Sequence, residues 1–262
     1  MSTIFDSHFH LLSMKRKDKD STLPNNFVGL EIGLDGGDME KRIKAVGRDK
    51  NIFLSVGAGP WVLDREGFIS IDSEIELLEK DIIKFGADAV GEFGFDNHWK
   101  YGSPDAQKEL FEKEMVLSKK YNLASVIHTR DADKELLESI DLIDEKTIMH
   151  CFSSDKNIAR KLLDRGAYIS FAGNITYKSN TILQESAKYV PIDRILYETD
   201  APYLAPIPMR GKVNNPAYTE YTLEFIANLK GVDKELFKEH VLKNFYNVIG
   251  RTESVVKRDI AL

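Results

Sequence analysis

Leu196-Tyr197-Glu198-Thr199-Asp200-Ala201-Pro202-Tyr203-Leu204 opens as a short apolar run, carries Glu198 and Asp200 at its exit, and then turns through Pro202. An acid at the end of a strand is either a satisfied edge residue or part of a site, and this stretch alone leaves both readings open. Other short apolar runs in the chain end in the same manner. They deliver His8 and His10, Glu92, His128 and His150. Several strands presenting ligands at one rim is the layout of a barrel enzyme with metal at the carboxyl ends of its strands.

Outward from this stretch, apolar runs with strand character fall at 3–12, 27–34, 52–57, 87–95, 123–128, 147–152 and 167–172, with Ile195–Glu198 as the eighth. Helices are predicted between them. Asp38–Asp49 is charged and amphipathic, with a cap at Asp35 or Asp38, and Ser70–Phe85 places Ile71, Ile75, Leu78 and Ile82 on one stripe. Pro104–Tyr121 starts on proline, a short helix runs to about Ile140, and Ser153–Arg165 stops at Gly166. Met14–Asp20, MKRKDKD, reads as a solvated loop, or else as a positive loop that draws in an anionic substrate. After Leu204 a long polar loop precedes two helices near 217–230 and 233–249. The alternation predicts a parallel sheet with helices outside. Eight strands close it into an α/β (β/α)8 TIM barrel with additional C-terminal helices, one domain over 1–262.

Bulk composition agrees with a packed barrel. The chain has 262 residues, of which 42% are hydrophobic and 30% charged, so a sizeable core can form. A formal charge of −6 is unlike a dedicated duplex binder, and any nucleic-acid contact must come from a local positive patch. The single cysteine, Cys151, excludes an intrachain disulfide and suits a reducing compartment. The stretch MSTIFDSHFH has no basic-then-apolar pattern, and no apolar run approaches the length of a spanning helix. The expectation is a cytoplasmic protein with no membrane contact and no obligate protein partner.

The candidate ligands follow from strand geometry. His8 and His10 alternate, so both imidazoles leave an extended chain on the same side. Glu92 sits in the apolar stretch ADAVGEFGF, where a lone carboxylate costs several kcal/mol unless it is paired or neutralised. With His128, His150 and Asp200 the set is four imidazoles and two carboxylates. It suits Zn²⁺, Mn²⁺, Ni²⁺ or Fe²⁺ better than Ca²⁺, and its lack of thiolates argues against a structural zinc. Six ligands exceed one open catalytic zinc but suit two divalent ions, drawn from Zn, Mn, Mg, Ni or Fe, with a bridging carboxylate. That chemistry is hydrolysis. Arg130 either holds a substrate phosphate or carboxylate, or pairs with Asp131 or Asp133. Trp61 is a lid or a stacking platform, His98 a surface histidine, and Cys151 a packing residue on the opposite strand face from His150.

The ordered segments DSHFHL, GEFGFD, HTRDAD, MHCFSS, ETDAPYL and RGKVNNPAY resemble the TatD-type metal-dependent deoxyribonucleases within the amidohydrolase-like barrels, over nearly the whole chain. The resemblance implies that His8, His10 and Asp200 bind one metal, that His128 and His150 bind a second, and that Glu92 bridges the two. It gives Asp200 the task of orienting or deprotonating the water, and places Arg210, Lys212 and Asn214 near the substrate. The implied activity is that of a phosphodiesterase on DNA ends, a 3′→5′ exonuclease, or on another anionic phosphoester. Two alternatives stand beside it: a small-molecule ester, lactone or amide hydrolase, and a non-catalytic binding protein on a retained barrel. The chain departs from the family at Gly57-Ala58-Gly59-Pro60, where many members have Gly-x-His-Pro, and at Leu12, where an aspartate commonly follows the His-x-His-Leu run. His98 and Trp61 are the residues that could compensate.

Overall fold

The computed structural model describes residues 3–47 and 51–250. Eight strands form one parallel sheet in chain order: β1 (Ile4–Phe9), β2 (Phe27–Glu31), β3 (Ile52–Val56), β4 (Ala89–Asp96), β5 (Ala124–Arg130), β6 (Thr147–Met149), β7 (Tyr168–Phe171) and β8 (Ile195–Tyr197). The first and last strands meet just past their ends. Phe9 bridges Ala201, Asp200 N–H donates to His8 C=O at 3.0 Å, and Ser7 Oγ donates to Tyr197 C=O at 3.0 Å. The sheet thus curls into the expected barrel, and the junction sets His8 and Asp200 side by side.

Nine α-helices are present among the described residues: α1 (Leu11–Lys17), α2 (Met39–Val46), α3 (Ile71–Phe85), α4 (Pro104–Tyr121), α5 (Asp133–Glu138), α6 (Lys156–Asp164), α7 (Thr181–Tyr189), α8 (Thr219–Lys230) and α9 (Lys234–Val248). α3 begins where Ser70 Oγ accepts from Ser73 N–H, and α4 where Ser103 Oγ accepts from Ala106 N–H; α4 ends at Asn122 in the left-handed region. The predicted end of α2 at Asp49 lies outside the described residues.

Two segments depart from the sequence reading. Residues 14–20 do not form a wholly solvated loop. Leu11 and Met14, three apart on α1, are buried in a small cluster with Phe9, Phe27, Ile52 and Ala201. Helix α7 was not foreseen; Leu183, Ser186 and Ala187 make the buried stripe that holds it.

Helix α9 closes the end of the barrel away from the site. Phe245 of α9 packs edge-on against Phe5 and Phe53, near the starts of β1 and β3, at 4.9 and 5.4 Å between ring centroids. Asn244 Nδ2 donates to the carbonyls of Ile192 and Ile195 at the start of β8. With that end filled, the opposite rim is left for chemistry. No helix among the described residues is long and apolar enough to cross a membrane.

Candidate metal centre

The carboxyl ends of β1, β4, β5, β6 and β8 bring all six predicted ligands to one place. His8 Nε2 and His10 Nε2 face each other at 3.2 Å, and His128 Nδ1 and His150 Nε2 do the same at 3.2 Å. Glu92 lies between these pairs. Its Oε1 is 3.3 Å from His10 Nε2, while its Oε2 is 2.7 Å from His150 Nε2 and 3.7 Å from His128 Nδ1. Asp200 Oδ1 stands on the first pair's side, 3.4 Å from His10 Nε2 and 3.8 Å from His8 Nε2. The rings of His8 and His150 stack at 3.9 Å with planes 9° apart, joining the two halves.

This donor set fits divalent ions. Two nitrogens bound to one ion at about 2.0–2.1 Å sit roughly 3.2–3.4 Å apart, the spacing of both imidazole pairs. Facing imidazole nitrogens repel unless a proton or a cation lies between them. The groupings His8–His10–Glu92 and Glu92–His128–His150 share Glu92, as a bridging carboxylate requires. Glycine makes room for the second: a Cβ on Gly94, at φ +150°, would strike the backbone carbonyl of His128.

Electrostatics among the protein groups tie the cluster together. Burial would raise the Glu92 pKa, but the charges and hydrogen bonds of His150 and His8 outweigh it and hold the carboxyl well below its ordinary value. Burial would lower His150, but Glu92 and Glu198 push it well above the ordinary imidazole value. The two carboxylates favour the protonated form of His150, so a metal ion at its Nε2 competes with a proton. Metal uptake at pH 7 is expected to release protons, and affinity is expected to rise with pH as the raised His150 deprotonates. Calorimetry in buffers of different ionisation enthalpy measures this; uptake without proton release would contradict it.

Groups that sequence reasoning left unassigned support the ligands. Glu198 Oε1 lies 3.2 Å from His150 Nδ1, and Asp96 Oδ2 lies 3.2 Å from His128 Nε2. Asp6 accepts from the backbone N–H groups of His8 and Thr199 and from the Thr199 hydroxyl, bracing β1 against the exit of β8. Asp96 and Glu198 both lie in segments that the sequence singles out, Asp96 in GEFGFD and Glu198 in ETDAPYL, and that proximity to a ligand was the signal available.

The proposed substrate residues scatter around the rim. Arg130 is exposed with its guanidinium over Trp99, 5.7 Å from the ring centroid, and neither acid suggested as its partner is free: Asp131 meets His98 at 3.2 Å and Asp133 accepts from Ser154. Arg210 is exposed and lies over Tyr177 at 4.5 Å; Lys212 is exposed. Asn214 corrects the expectation of a substrate contact. It is fully buried, its Nδ2 donates to the carbonyls of Thr199 and Tyr203, and its Oδ1 accepts from Asn215 N–H, so it staples the loop to the β8 exit. Cys151 also differs from expectation, since it lies in a turn beyond β6 at φ +44° rather than on a strand face.

Trp61 explains the altered mouth segment. Its indole N–H donates to Leu34 C=O at 3.0 Å, its ring meets His128 edge-on at 6.0 Å, and a Cβ on Gly59 would lie 2.1 Å from its Cη2. The ring thus fills the space a side chain at position 59 would need. Gly59→His is expected to destabilise the fold by about 1–3 kcal/mol, and Trp61→Ala in the same chain to recover part of the loss. Thermal melts in a double-mutant cycle test this; additive losses would contradict it.

Fold and site together define a metal-dependent hydrolase built on a (β/α)8 barrel. The TatD related DNase family profile matches residues 5–250, and the chain belongs to that family. It is 36% identical to the "uncharacterized metal-dependent hydrolase YcfH" of Escherichia coli K12 over 203 residues, 76% of this chain and 74% of that one. It is 33% identical to the "uncharacterized metal-dependent hydrolase YabD" of Bacillus subtilis over 243 residues, 87% and 91% of the two chains. The crystal structure of YJJV, a TatD homolog from Escherichia coli K12, superposes with a TM-score of 0.79 over 95% of this chain and 98% of that one; at 19% identity this concerns the fold alone.

Proposed function

We propose that the protein is a phosphodiesterase that removes nucleotides from DNA ends, 3′→5′, at a centre holding two divalent ions. The observation that carries this reading is Glu92 set between two imidazole pairs, with Asp200 on one side. Two such ions would lower the pKa of a shared water and clamp the oxygens of an in-line displacement. Asp200 has the most exposed side chain of the two site carboxylates, at 15% against 6% for Glu92, so it suits contact with an entering water. It orients that water and takes its proton as the oxygen attacks phosphorus; the bond to the leaving 3′-oxygen breaks, and that oxygen regains a proton from solvent.

The rim offers what a nucleic-acid end requires. Arg130, Arg210 and Lys212 are exposed cations, and a guanidinium matches two phosphate oxygens at once. Tyr203 is exposed, with its ring 6.4 Å from His10 and Lys17 over it at 4.2 Å, while Trp99 is exposed beside Arg130. Base stacking on such rings suits a frayed or single-stranded end better than a duplex. The test is cleavage of end-labelled single-stranded DNA with Mn²⁺, Mg²⁺, Zn²⁺, Ni²⁺ or Fe²⁺, against chelator. No loss of DNA with any metal, using folded protein, overturns the nuclease reading.

A second reading, hydrolysis of a small ester, lactone or amide at the same centre, is favoured by Gly59 and by the Trp61 ring packed beside His128. A panel of phosphodiester, carboxyl-ester and lactone substrates separates the two.

A further inference from the structure

The two imidazole pairs are supported unequally. His150 directs Nδ1 at Glu198 Oε1, 3.2 Å away, and His128 directs Nε2 at Asp96 Oδ2, also 3.2 Å away. Both carboxylates are buried. Each is fixed by a backbone donor just past a strand end: Cys151 N–H to Glu198 Oε1 at 2.8 Å, and Trp99 N–H to Asp96 Oδ1 at 2.8 Å. On the other side, His8 Nδ1 and His10 Nδ1 are buried without a hydrogen-bond partner among the described residues.

We propose that Asp96 and Glu198 are positioning residues for one ion position, that of His128 and His150, and that among the described residues no carboxylate hydrogen-bonds the outer nitrogens of His8 and His10 in the same way. The proposal rests on the two-ion reading. A carboxylate facing one imidazole nitrogen keeps the N–H there and leaves a lone pair on the other nitrogen. The pairing is crossed here. Glu198 claims Nδ1 of His150 and frees Nε2, whereas Asp96 claims Nε2 of His128 and frees Nδ1. The freed nitrogens are the two that face each other at 3.2 Å beside Glu92 Oε2. Each carboxylate thereby selects the tautomer, fixes the ring and raises its basicity toward a cation.

The test uses Co²⁺ added to the metal-free full-length protein, followed by calorimetry, by the visible spectrum and by competition with a chelator. Wild-type protein is expected to take up two ions in separable steps. Glu198→Gln and Asp96→Asn are each expected to weaken the same step by about 10–100-fold and to leave the other step and the metal-free melting temperature unchanged. Combining them should compound the loss on that step. Steps that do not move, or that move together in both variants, overturn the proposal. If wild-type protein takes up only one ion, the two-ion reading fails, and the positioning role then stands or falls on whether both variants weaken that ion. Should Glu198→Gln not fold, Asp96→Asn alone decides.

Discussion

Glu92→Gln is expected to leave the barrel folded and to cut turnover by about three orders of magnitude or more, roughly 4 kcal/mol of transition-state stabilisation. Glu92 gives one oxygen to each side of the centre: Oε1 lies 3.3 Å from His10 Nε2, and Oε2 lies 2.7 Å from His150 Nε2. An amide keeps the shape but replaces one acceptor with an NH₂ group, whose hydrogens point at a ring nitrogen or at a cation. One side of the centre must then lose its oxygen ligand, and the negative charge that would offset bound cations is gone. On the proposed two-ion reading, bound metal should fall from two ions per chain to one or fewer, measured by elemental analysis after reconstitution. Wild-type metal content with wild-type turnover in this variant would refute the bridging role.

Asp200→Asn should behave differently. Among the described residues, the imidazoles beside Asp200 are those of the His8–His10 side, with Oδ1 at 3.8 and 3.4 Å from their Nε2 atoms. Its backbone is held independently by the N–H bond to His8 C=O, so the substitution should not disturb the barrel seam. The expected loss is two or more orders of magnitude in turnover, on the order of 3 kcal/mol, with the ion at His128 and His150 retained. Near-wild-type rates would move the base role elsewhere, to Glu92 in the first instance. Glu92→Gln should empty part of the centre, whereas Asp200→Asn should slow a centre that still holds metal, so metal analysis beside kinetics separates their roles.

Much of this site was legible before any coordinates. Local pattern placed His8, His10, Glu92, His128, His150 and Asp200 at strand exits, because period-two apolar runs and their breakers are short-range signals. It failed where local signals were weak or shared. The charge of MKRKDKD masked the two apolar contacts that make α1 a helix. Asn214 lies in a polar loop that reads as solvent-facing, yet its amide is spent on the carbonyls of Thr199 and Tyr203. Gly59 read as the loss of a histidine, whereas the indole of Trp61, two residues on, takes up that space.

The amino-acid sequence by itself determined the eight strands and most of the helices between them, and it singled out the six candidate ligands, since each of these readings depends on residues close together in the chain. Only the tertiary structure decided which nitrogen of each imidazole faces inward, that Glu92 lies between two pairs, and that Asp96 meets His128 while Glu198 meets His150. Those facts depend on distances between strands far apart in sequence, such as the 48 residues separating His150 from Glu198. Barrel closure sets those distances, and no local preference of the chain encodes them.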